Sequence, residues 1–393
     1  MKSNVLILQS GGCTPVMNQS LFGVFNEALK YPKIDRIYGA YHGIDGVLRE
    51  DFIDLRKQPD ILWNVIAQTP AAALGSTRSK IKKENITEIL NVLAKHQIRF
   101  LFIIGGNDSA DTGHTLYLAA EANGYELSVI NIPKTIDNDL VLTDHSPGYG
   151  SAARFVILAT MGAGQDAKSM GHASPITIIE VMGRDTGWLA ASASLAKNDD
   201  NDPPHIICVP EVPLNEDHFL NRVEDIYKKS GFVIAVVAEN TRGTNGILGQ
   251  QKNPYFIDDF GHAYFDSPGQ HLARLISKKL KIRARYEKPG TIQRTMVTCI
   301  SQSDSKEAEL VGRSAVKYAL TEHSDQMVTL IREPGNNYKC HTGIASLDKI
   351  ANKIKPLPNN YLDNETLFIT NEFTDYILPL IGDPLPKFGN FKQ

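Results

Sequence analysis

Short runs dominated by Val, Ile and Leu recur along this chain, and helix-like segments separate them. The runs occupy residues 4–9, 100–104, 127–132, 176–181, 205–210 and 232–238. They are apolar at successive positions, as parallel strands are when helices cover both faces of a sheet. Strands that alternate with helices are typical of α/β proteins. We therefore predict an α/β fold with doubly wound, mostly parallel sheets.

The length and the turn-rich segments predict how the fold is divided. With 393 residues, of which 42% are hydrophobic, the chain has the length of two or three domains and enough apolar residues for a substantial core. Turn-forming residues cluster near 145–150, and a second boundary is expected near 286–294. We predict two α/β domains, a returning segment and a C-terminal extension, at 1–147, 148–294, 295–345 and 346–393.

The charge and the cysteines exclude several functions. A formal net charge of −3 gives no general basic character, so neither nucleic acid nor an anionic membrane is an expected partner. No apolar run approaches the ~18 residues of a membrane helix, and the N-terminus lacks a signal-peptide pattern. The four scattered cysteines form no CxxC pair, which favours reduced thiols over disulfides or zinc. We expect a soluble, cytoplasmic protein.

Two glycine pairs follow predicted strands. Gly11 and Gly12 lie in "QSGGCTPVMN", and the second pair lies in "FIIGGNDSADT" just before Asn107. A strand, two glycines and a helix start can aim backbone N–H groups at a phosphate. Each loop alone could also be a tight turn, with Ser109 as an N-cap of the following helix. Because both loops would leave one edge of the same sheet, together they indicate a bound polyphosphate.

The segment "VINIPKTIDNDLVL" (129–142) places a lysine in an acidic turn after a buried strand. Asp137 is suited to removing a proton from an alcohol, and Asp139 to orienting that group or holding hydrated Mg²⁺. Lys134 and these carboxylates are candidates for one site at the strand end. From this segment alone, an Asx-rich turn with a solvated lysine stays open as the alternative.

Polar residues in the second half of the chain are candidates for a substrate site. In "EVMGR", Arg184 follows a strand, where a guanidinium can clamp phosphate oxygens, although a surface carboxylate is an alternative partner. Glu239 ends a later strand and is suited to accepting sugar hydroxyls, although alone it could be an exposed carboxylate. Five cations fall within 281–294, which fits either a solvated face or an anchor for a phosphorylated sugar.

Taken together, these motifs resemble those of the phosphofructokinase A family. The resemblance covers residues 4 to about 320 through GG-x-x-P-x-MN, GG-N-D-S, P-x-TIDND, EVMGR and IQR, of which TIDND and EVMGR are highly specific. The chain is similar to the pyrophosphate-dependent branch, because ATP-using relatives carry glycines at the positions of Asp108 and Lys134. The resemblance implies that Asp108 fills and repels the place of the nucleotide α-phosphate, and that Lys134 supplies charge to pyrophosphate.

The resemblance also implies a role for each matching residue. The implied catalytic residues are Asp137, which acts as the base, with Lys134, Asp108, Arg184 and Asp139. The implied donor contacts are Gly12, Arg78, Gly106, Asp108 and Lys134. The implied contacts to the sugar are Thr135, Ile136, Asp137, Met182, Gly183, Arg184, Glu239, Arg285, Thr291 and Arg294. The implied ligands of Mg²⁺ are Asn107 and Asp139.

Three positions extend or depart from the family pattern. Arg285 resembles an arginine that family members supply across a subunit interface, which implies a homodimer or a homotetramer. Asn107 stands where the family usually has a metal-binding aspartate, so Mg²⁺ is expected to bind more weakly there or to shift to neighbouring carboxylates. Thr291 replaces a histidine of many bacterial ATP-using enzymes, which changes how the sugar 6-phosphate is held.

The activity that the resemblance implies is reversible phosphoryl transfer from pyrophosphate to the 1-hydroxyl of fructose 6-phosphate. Residues 1–147 are then the donor domain, and residues 148–294 the fructose 6-phosphate domain. Two alternatives stay open, an ATP-dependent 6-phosphofructokinase and a non-catalytic regulatory subunit that binds phosphorylated sugars. The aspartate and lysine of the donor site oppose the first alternative, and the intact base and phosphate-binding residues oppose the second.

Overall fold

The computed structural model describes residues 3–250, 256–257, 263–264, 266–335 and 337–389, so residues 390–393 of the predicted C-terminal extension lie outside the described residues. The strands are β1 (Ser3–Gln9), β2 (Ile34–Ala40), β3 (Phe52–Asp54), β4 (Ile98–Gly105), β5 (Ser128–Pro133), β6 (Ile176–Val181), β7 (Ile206–Cys208), β8 (Val233–Ala238), β9 (Arg242–Gly243), β10 (Gly246–Ile247), β11 (Phe256–Ile257), β12 (Ala263–Tyr264), β13 (Ala284–Glu287), β14 (Gln326–Arg332), β15 (Cys340–Ser346), β16 (Leu362–Asp363) and β17 (Phe368–Ile369). The helices are α1 (Met17–Ala28), α2 (Gly43–Leu48), α3 (Asp60–Gln68), α4 (Ile86–Lys95), α5 (Asn107–Ala122), α6 (Tyr149–Met170), α7 (Trp188–Ser192), α8 (Glu216–Ser230), α9 (Pro268–Lys279), α10 (Gln302–Leu320) and α11 (Asn371–Ile377).

The chain forms two compact units. The first unit consists of Met1–Ala152, Thr291–Ile300 and Asp304–Lys355. The second unit consists of Ala153–Gly290, Ser301–Ser303 and Pro356–Gln393. The chain therefore passes from the second unit back to the first directly after Gly290. Within the described part of the chain, no helix has the length and apolar character that crossing a membrane requires.

A seven-stranded sheet forms the frame of the first unit, in the order β15-β14-β5-β4-β1-β2-β3. The central strands pair in parallel, and the edge strands β3 and β15 run antiparallel to their neighbours. The strand order changes direction at β1, which lies between β2 and β4. Ligands of open α/β sheets bind at such a switch point, outside the carboxyl ends of the strands. The loops after β1 and β4 are therefore placed for binding.

Both faces of this sheet are buried. Along β1, Val5 and Ile7 join one apolar cluster with residues of α1 and α10, whereas Leu6 and Leu8 join a second cluster with residues of α4 and α5. Successive side chains of a strand point to opposite faces, so a strand covered on both sides must be apolar throughout. This arrangement explains the apolar runs of the sequence and confirms the predicted α/β fold.

The second unit contains a four-stranded parallel sheet in the order β13-β6-β8-β7. Its core combines β6 and β8 with Phe219 of α8 and Leu272 of α9, both of which are fully buried. The C-terminal extension contributes to this unit, since Phe373 is buried and its ring lies near those of Trp188 and Tyr361. Both units thus have the mostly parallel, helix-covered sheets that were predicted.

Helices α1 and α10 approach each other at two glycines in the first unit. A Cβ atom on Gly23 would lie 2.3 Å from the carbonyl oxygen of Glu309, and one on Gly312 would lie 2.2 Å from that of Ser20. Carbon and oxygen atoms do not approach this closely without a shift of the backbone. The two glycines therefore set the distance between these helices.

We expect Gly312→Ala to lower the free energy of unfolding by about 1–3 kcal/mol, because the added methyl group overpacks the contact with α1. Gly162→Ala is the matched control, since it lies within α6 with no atom within 4 Å of the position of a Cβ. The control should be neutral or more stable by about 0.5–1 kcal/mol. Urea unfolding of both variants measures the difference. Equal stabilities would contradict the close approach of α1 and α10.

Candidate functional site

Lys134 lies at the carboxyl end of β5 and reaches the loop that follows β1. Its Nζ donates a hydrogen bond to the carbonyl oxygen of Gly12 at 2.7 Å, and a Cβ on Gly11 would lie 3.1 Å from the same nitrogen. Only 3% of Lys134 is exposed to solvent. The alternative of a solvated lysine in an Asx-rich turn is therefore wrong. The parallel strands β1, β4 and β5 bring these loops together, as predicted.

Two arginines approach the same glycine loop. A Cβ on Gly12 would lie 2.5 Å from Nη1 of Arg294 and 3.9 Å from Nη2 of Arg78. Together with Lys134, these side chains concentrate positive charge around the glycine backbone of the loop after β1. Guanidinium and ammonium groups in such an arrangement can bind a ligand with several phosphate oxygens. The structure thus places Arg294 among the candidate donor residues of the first unit.

Asp45 holds the segment around Arg78, and no sequence motif pointed to it. The hydroxyl groups of Thr77 and Ser79 both donate to Oδ2 of Asp45, at 2.5 and 2.9 Å. The amide of Gly11 donates to the carbonyl oxygen of Thr77 at 2.9 Å, which ties this segment to the glycine loop. The residues on either side of Arg78 are thus fixed, and its guanidinium faces the loop after β1.

Helix α5 begins at Asn107, with Gly106 as its N-cap, so the possible N-cap role of Ser109 is wrong. Asp108 is 60% exposed in the first turn, and its Oδ1 lies 3.5 Å from Nζ of Lys80. A Cβ on Gly106 would lie 3.5 Å from the carbonyl oxygen of Lys134, an ordinary contact distance. The second glycine loop therefore borders the lysine, and Asp108 lies where solvent and ligands can reach it.

The turn 135–139 is held by its own side chains. The amide of Thr135 donates to Oγ of Ser146 at 3.0 Å, and the amide of Asp137 donates to Oγ1 of Thr135 at 3.1 Å. The amide of Ser146 donates to Oδ1 of Asn138 at 3.2 Å. Ile136 is buried, whereas Asp137 is half-buried, so this carboxylate can reach a ligand. The turn has the rigidity that a positioned general base needs.

The two predicted metal ligands lie close to each other. Nδ2 of Asn107 lies 3.4 Å from Oδ2 of Asp139, and Oδ1 of Asn107 is buried without a hydrogen-bond partner. Among the described residues, no group of three or more His, Cys, Asp or Glu side chains could hold a metal ion. Mg²⁺ often binds through one or two carboxylates, several waters and the phosphates of the substrate. The residues present fit that kind of site, with the orphaned Asn107 oxygen as a second ligand.

In the second unit, the structure brings together two segments that the sequence suggested separately. The amide of Arg184 donates to Oε1 of Glu239 at 3.0 Å. Arg184 adopts a positive φ of 50°, and Gly183, with a φ of 143°, has no room for a Cβ because the Thr186 carbonyl oxygen would lie 2.6 Å away. The sharp turn after Met182 therefore needs glycine, and it leaves the Arg184 side chain exposed.

Two of the five cations of 281–294 pair with carboxylates of the second unit. Arg285 pairs with Asp166 at 3.3 Å, and Lys288 pairs at 2.7 Å with Glu180, whose side chain is fully buried. Thr291 is exposed and, like Arg294, belongs to the first unit. The segment is thus divided between the two units, and its role as an anchor for a phosphorylated sugar stays a prediction.

Comparisons with known proteins identify the family. Residues 4–319 match the family model described as phosphofructokinase. The chain belongs to the phosphofructokinase family.

Named relatives in this family cover nearly the whole chain. The chain is 36% identical to a pyrophosphate–fructose 6-phosphate 1-phosphotransferase of Rhodospirillum rubrum, over 98% of this chain and 96% of the relative. It is 34% identical to a protein of the same name from Halomonas elongata, over 98% of this chain and 94% of the relative. The crystal structure of a pyrophosphate-dependent phosphofructokinase from Marinobacter aquaeolei is similar with a TM-score of 0.88 and 33% identity, over 99% of this chain and 94% of that one.

A buried polar cluster follows the family's TIDND motif in the first unit. Nδ1 of His145 lies 2.8 Å from Oδ2 of Asp144, and Nε2 lies 2.7 Å from Oε2 of Glu307 on α10. Arg332 pairs with Asp144 at 3.1 Å, and the hydroxyl of Tyr338 donates to Glu307. No sequence motif indicated these residues, because they come from distant parts of the chain. The cluster fixes the segment that follows the candidate base.

The pKa of His145 follows from this cluster. Burial opposes protonation of the imidazole, but the hydrogen bonds and charges of Asp144 and Glu307 outweigh it and raise the pKa to about 9. The ordinary pKa of a histidine side chain is 6.5. Between these two values the folded protein holds a proton that the unfolded chain has lost. Its stabilising effect is complete below pH 6.5 and disappears as the pH rises through about 9.

We therefore expect the free energy of unfolding to fall between pH 6.5 and pH 9, by about 3 kcal/mol at most from this group. His145→Gln should be less stable at pH 6.5 and should lose much of that dependence, since glutamine does not titrate. Urea unfolding of both proteins across this pH range measures the two slopes. Parallel slopes for the two proteins would show that His145 is not the titrating group.

Proposed function

We propose that this chain transfers a phosphoryl group reversibly from pyrophosphate to the 1-hydroxyl of fructose 6-phosphate, giving fructose 1,6-bisphosphate and phosphate. The observation that carries the proposal is the buried Lys134, which bonds to Gly12 beside two arginines. The names of the relatives from Rhodospirillum rubrum and Halomonas elongata support the same activity.

The charges of the first unit suit pyrophosphate as the donor. Pyrophosphate has no base or ribose, so its affinity must come from cations and backbone N–H groups. We assign this role to Lys134, Arg78, Gly12 and Gly106, the N-cap of α5. We assign Asp108 to donor selection, because a carboxylate in the first turn of α5 would occupy and repel the α-phosphate of a nucleotide.

The acceptor chemistry is assigned to the turn after β5. Asp137 takes the proton from the 1-hydroxyl, and Asp139 supports it electrostatically, while Lys134 and the arginines neutralise the charge of the transferring group. Mg²⁺, held by Asn107, Asp139 and donor oxygens, would supply further charge neutralisation. Thr135 and Ile136 are assigned to contacts with the sugar.

Further contacts to the sugar are assigned to Glu239, Met182, Gly183, Arg184, Thr291 and Arg294. Glu239 accepts hydrogen bonds from the sugar hydroxyls. The turn formed by Met182, Gly183 and Arg184 binds the substrate and stabilises the transferring phosphoryl group. Thr291 and Arg294 are assigned to the 6-phosphate, and Arg294 is also close enough to Gly12 to contact the donor. Arg285 is proposed to serve a neighbouring subunit of a homodimer or homotetramer. We place the enzyme in the cytoplasm, where four free cysteines stay reduced.

The donor test is the initial rate with fructose 6-phosphate and Mg²⁺, with pyrophosphate against ATP. We expect wild type to use pyrophosphate and not ATP, and the double variant Lys134→Gly/Asp108→Gly to lose about 10²-fold or more of its pyrophosphate-dependent rate. Lys228→Gly, an exposed lysine on α8 of the second unit, is the control and should match wild type. A wild type that prefers ATP would overturn the donor assignment and leave an ATP-dependent phosphofructokinase.

The base test separates an enzyme from a non-catalytic phosphosugar-binding subunit. Asp137→Asn removes the proton acceptor but keeps the size of the side chain, so kcat should fall about 10²–10⁴-fold. The affinity for fructose 6-phosphate, measured by calorimetry, should stay within a few-fold of that of wild type.

Because the free energy of pyrophosphate hydrolysis is modest, wild type should also form fructose 6-phosphate from fructose 1,6-bisphosphate and phosphate. No turnover in either direction, with the sugar still bound, would favour the regulatory subunit.

A further inference from the structure

The turn that follows the candidate base contains two left-handed backbone conformations. Asn138 and Leu142 have positive φ angles of 55° and 63°. At a residue such as leucine a left-handed conformation costs on the order of 1–3 kcal/mol and persists where the surrounding structure holds it, whereas asparagine adopts it more readily. The carboxylates of Asp137 and Asp139 flank Asn138, so whatever holds this turn also determines where they lie.

Lys355, at the end of the first unit, contacts both ends of that turn. Its Nζ donates to the carbonyl oxygens of Asp144 and Thr143 at 2.8 and 3.1 Å, and lies 3.4 Å from Oδ1 of Asn138. Its own amide donates to the carbonyl oxygen of Asp139 at 2.8 Å. An ammonium group has three N–H donors, and the geometry directs all three at residues of one turn.

The burial of this ammonium group is costly, which argues against a merely incidental contact. Burial lowers the pKa of Lys355 to about 8, although the carboxylates of Asp144 and Asp139 act in the opposite direction. A buried charge is retained only where partners satisfy it. Lys353, two residues earlier, is by contrast exposed, and its Nζ reaches a carbonyl oxygen only at 3.5 Å.

We propose that Lys355 is a positioning residue for phosphoryl transfer, whose ammonium group holds the 138–144 turn and thereby sets the positions of the Asp137 and Asp139 carboxylates. The inference rests on the proposed function, because it takes Asp137 as the base. Lys355 acts through the turn and need not touch a substrate. A displacement of about 1 Å in a reacting group can cost about 10²-fold in rate. Loss of the Lys355 ammonium group should therefore lower kcat.

The test compares Lys355→Met, Lys355→Arg and the control Lys353→Met in steady-state kinetics with pyrophosphate and fructose 6-phosphate, together with urea unfolding. Lys355→Met keeps the aliphatic stem but loses the charge and donors, so kcat should fall about 10–100-fold while both KM values stay within about threefold. Lys355→Arg keeps a cation and N–H donors, so its kcat should lie between those of Lys355→Met and wild type. Lys353→Met should match wild type.

The outcomes separate this inference from the proposed function. If wild type does not turn over, the proposed function itself fails. If wild type is active and folded Lys355→Met keeps kcat within twofold, Lys355 has only a structural role and the inference is overturned. The inference is likewise overturned if Lys355→Met is less stable but its kcat per folded molecule is unchanged. If Lys355→Met does not fold, Lys355→Arg decides, since a severalfold lower kcat at unchanged KM supports positioning and a wild-type kcat overturns it.

Discussion

The hydrogen bond from Lys134 to the carbonyl oxygen of Gly12 is the contact on which the candidate site depends. It joins the end of β5 to the loop after β1 across the end of β4, so three loops of the central sheet become one surface. A buried ammonium group needs polar partners, and the backbone carbonyl of Gly12 in the loop after β1 provides one. Gly11 and Gly12 leave room for these cations, because a Cβ on Gly11 would lie 3.1 Å from Nζ of Lys134 and one on Gly12 would lie 2.5 Å from Nη1 of Arg294.

The sequence predicted those features of the fold and of the candidate site whose signal lies within a few neighbouring residues. The apolar runs, the glycine pairs and the acidic turn each lie within a few residues, and parallel strands bring their carboxyl ends to one edge. The residues that support this site carry no such signal. Asp45 meets Thr77 across 32 residues, His145 meets Glu307 across 162, and Lys355 meets Thr143 across 212. Contacts at such separations depend on the completed fold, and a single lysine or histidine in a sequence does not reveal them.

The cationic segment 281–294 illustrates the same limit. Five charges within a short stretch of sequence fit either a solvated face or an anion-binding patch. Here the chain leaves the second unit at Gly290 and enters the first at Thr291, so the five cations belong to two different units. Lys288 neutralises a buried carboxylate, whereas Arg294 approaches the glycine loop. The division of the segment between the two units carries no signal in its composition.

The position of Asp108 makes its proposed role in donor selection compatible with a stable helix. A carboxylate that excludes nucleotides would be costly if it were buried among other acidic groups. Asp108 instead lies in the first turn of α5, where the helix dipole favours a negative charge, and it is exposed beside Lys80. A glycine there would lose that favourable interaction and open the helix N-terminus to a further phosphate group. The aspartate that we propose as the donor-selecting residue can therefore also stabilise the helix, so the proposed selectivity need not weaken the fold.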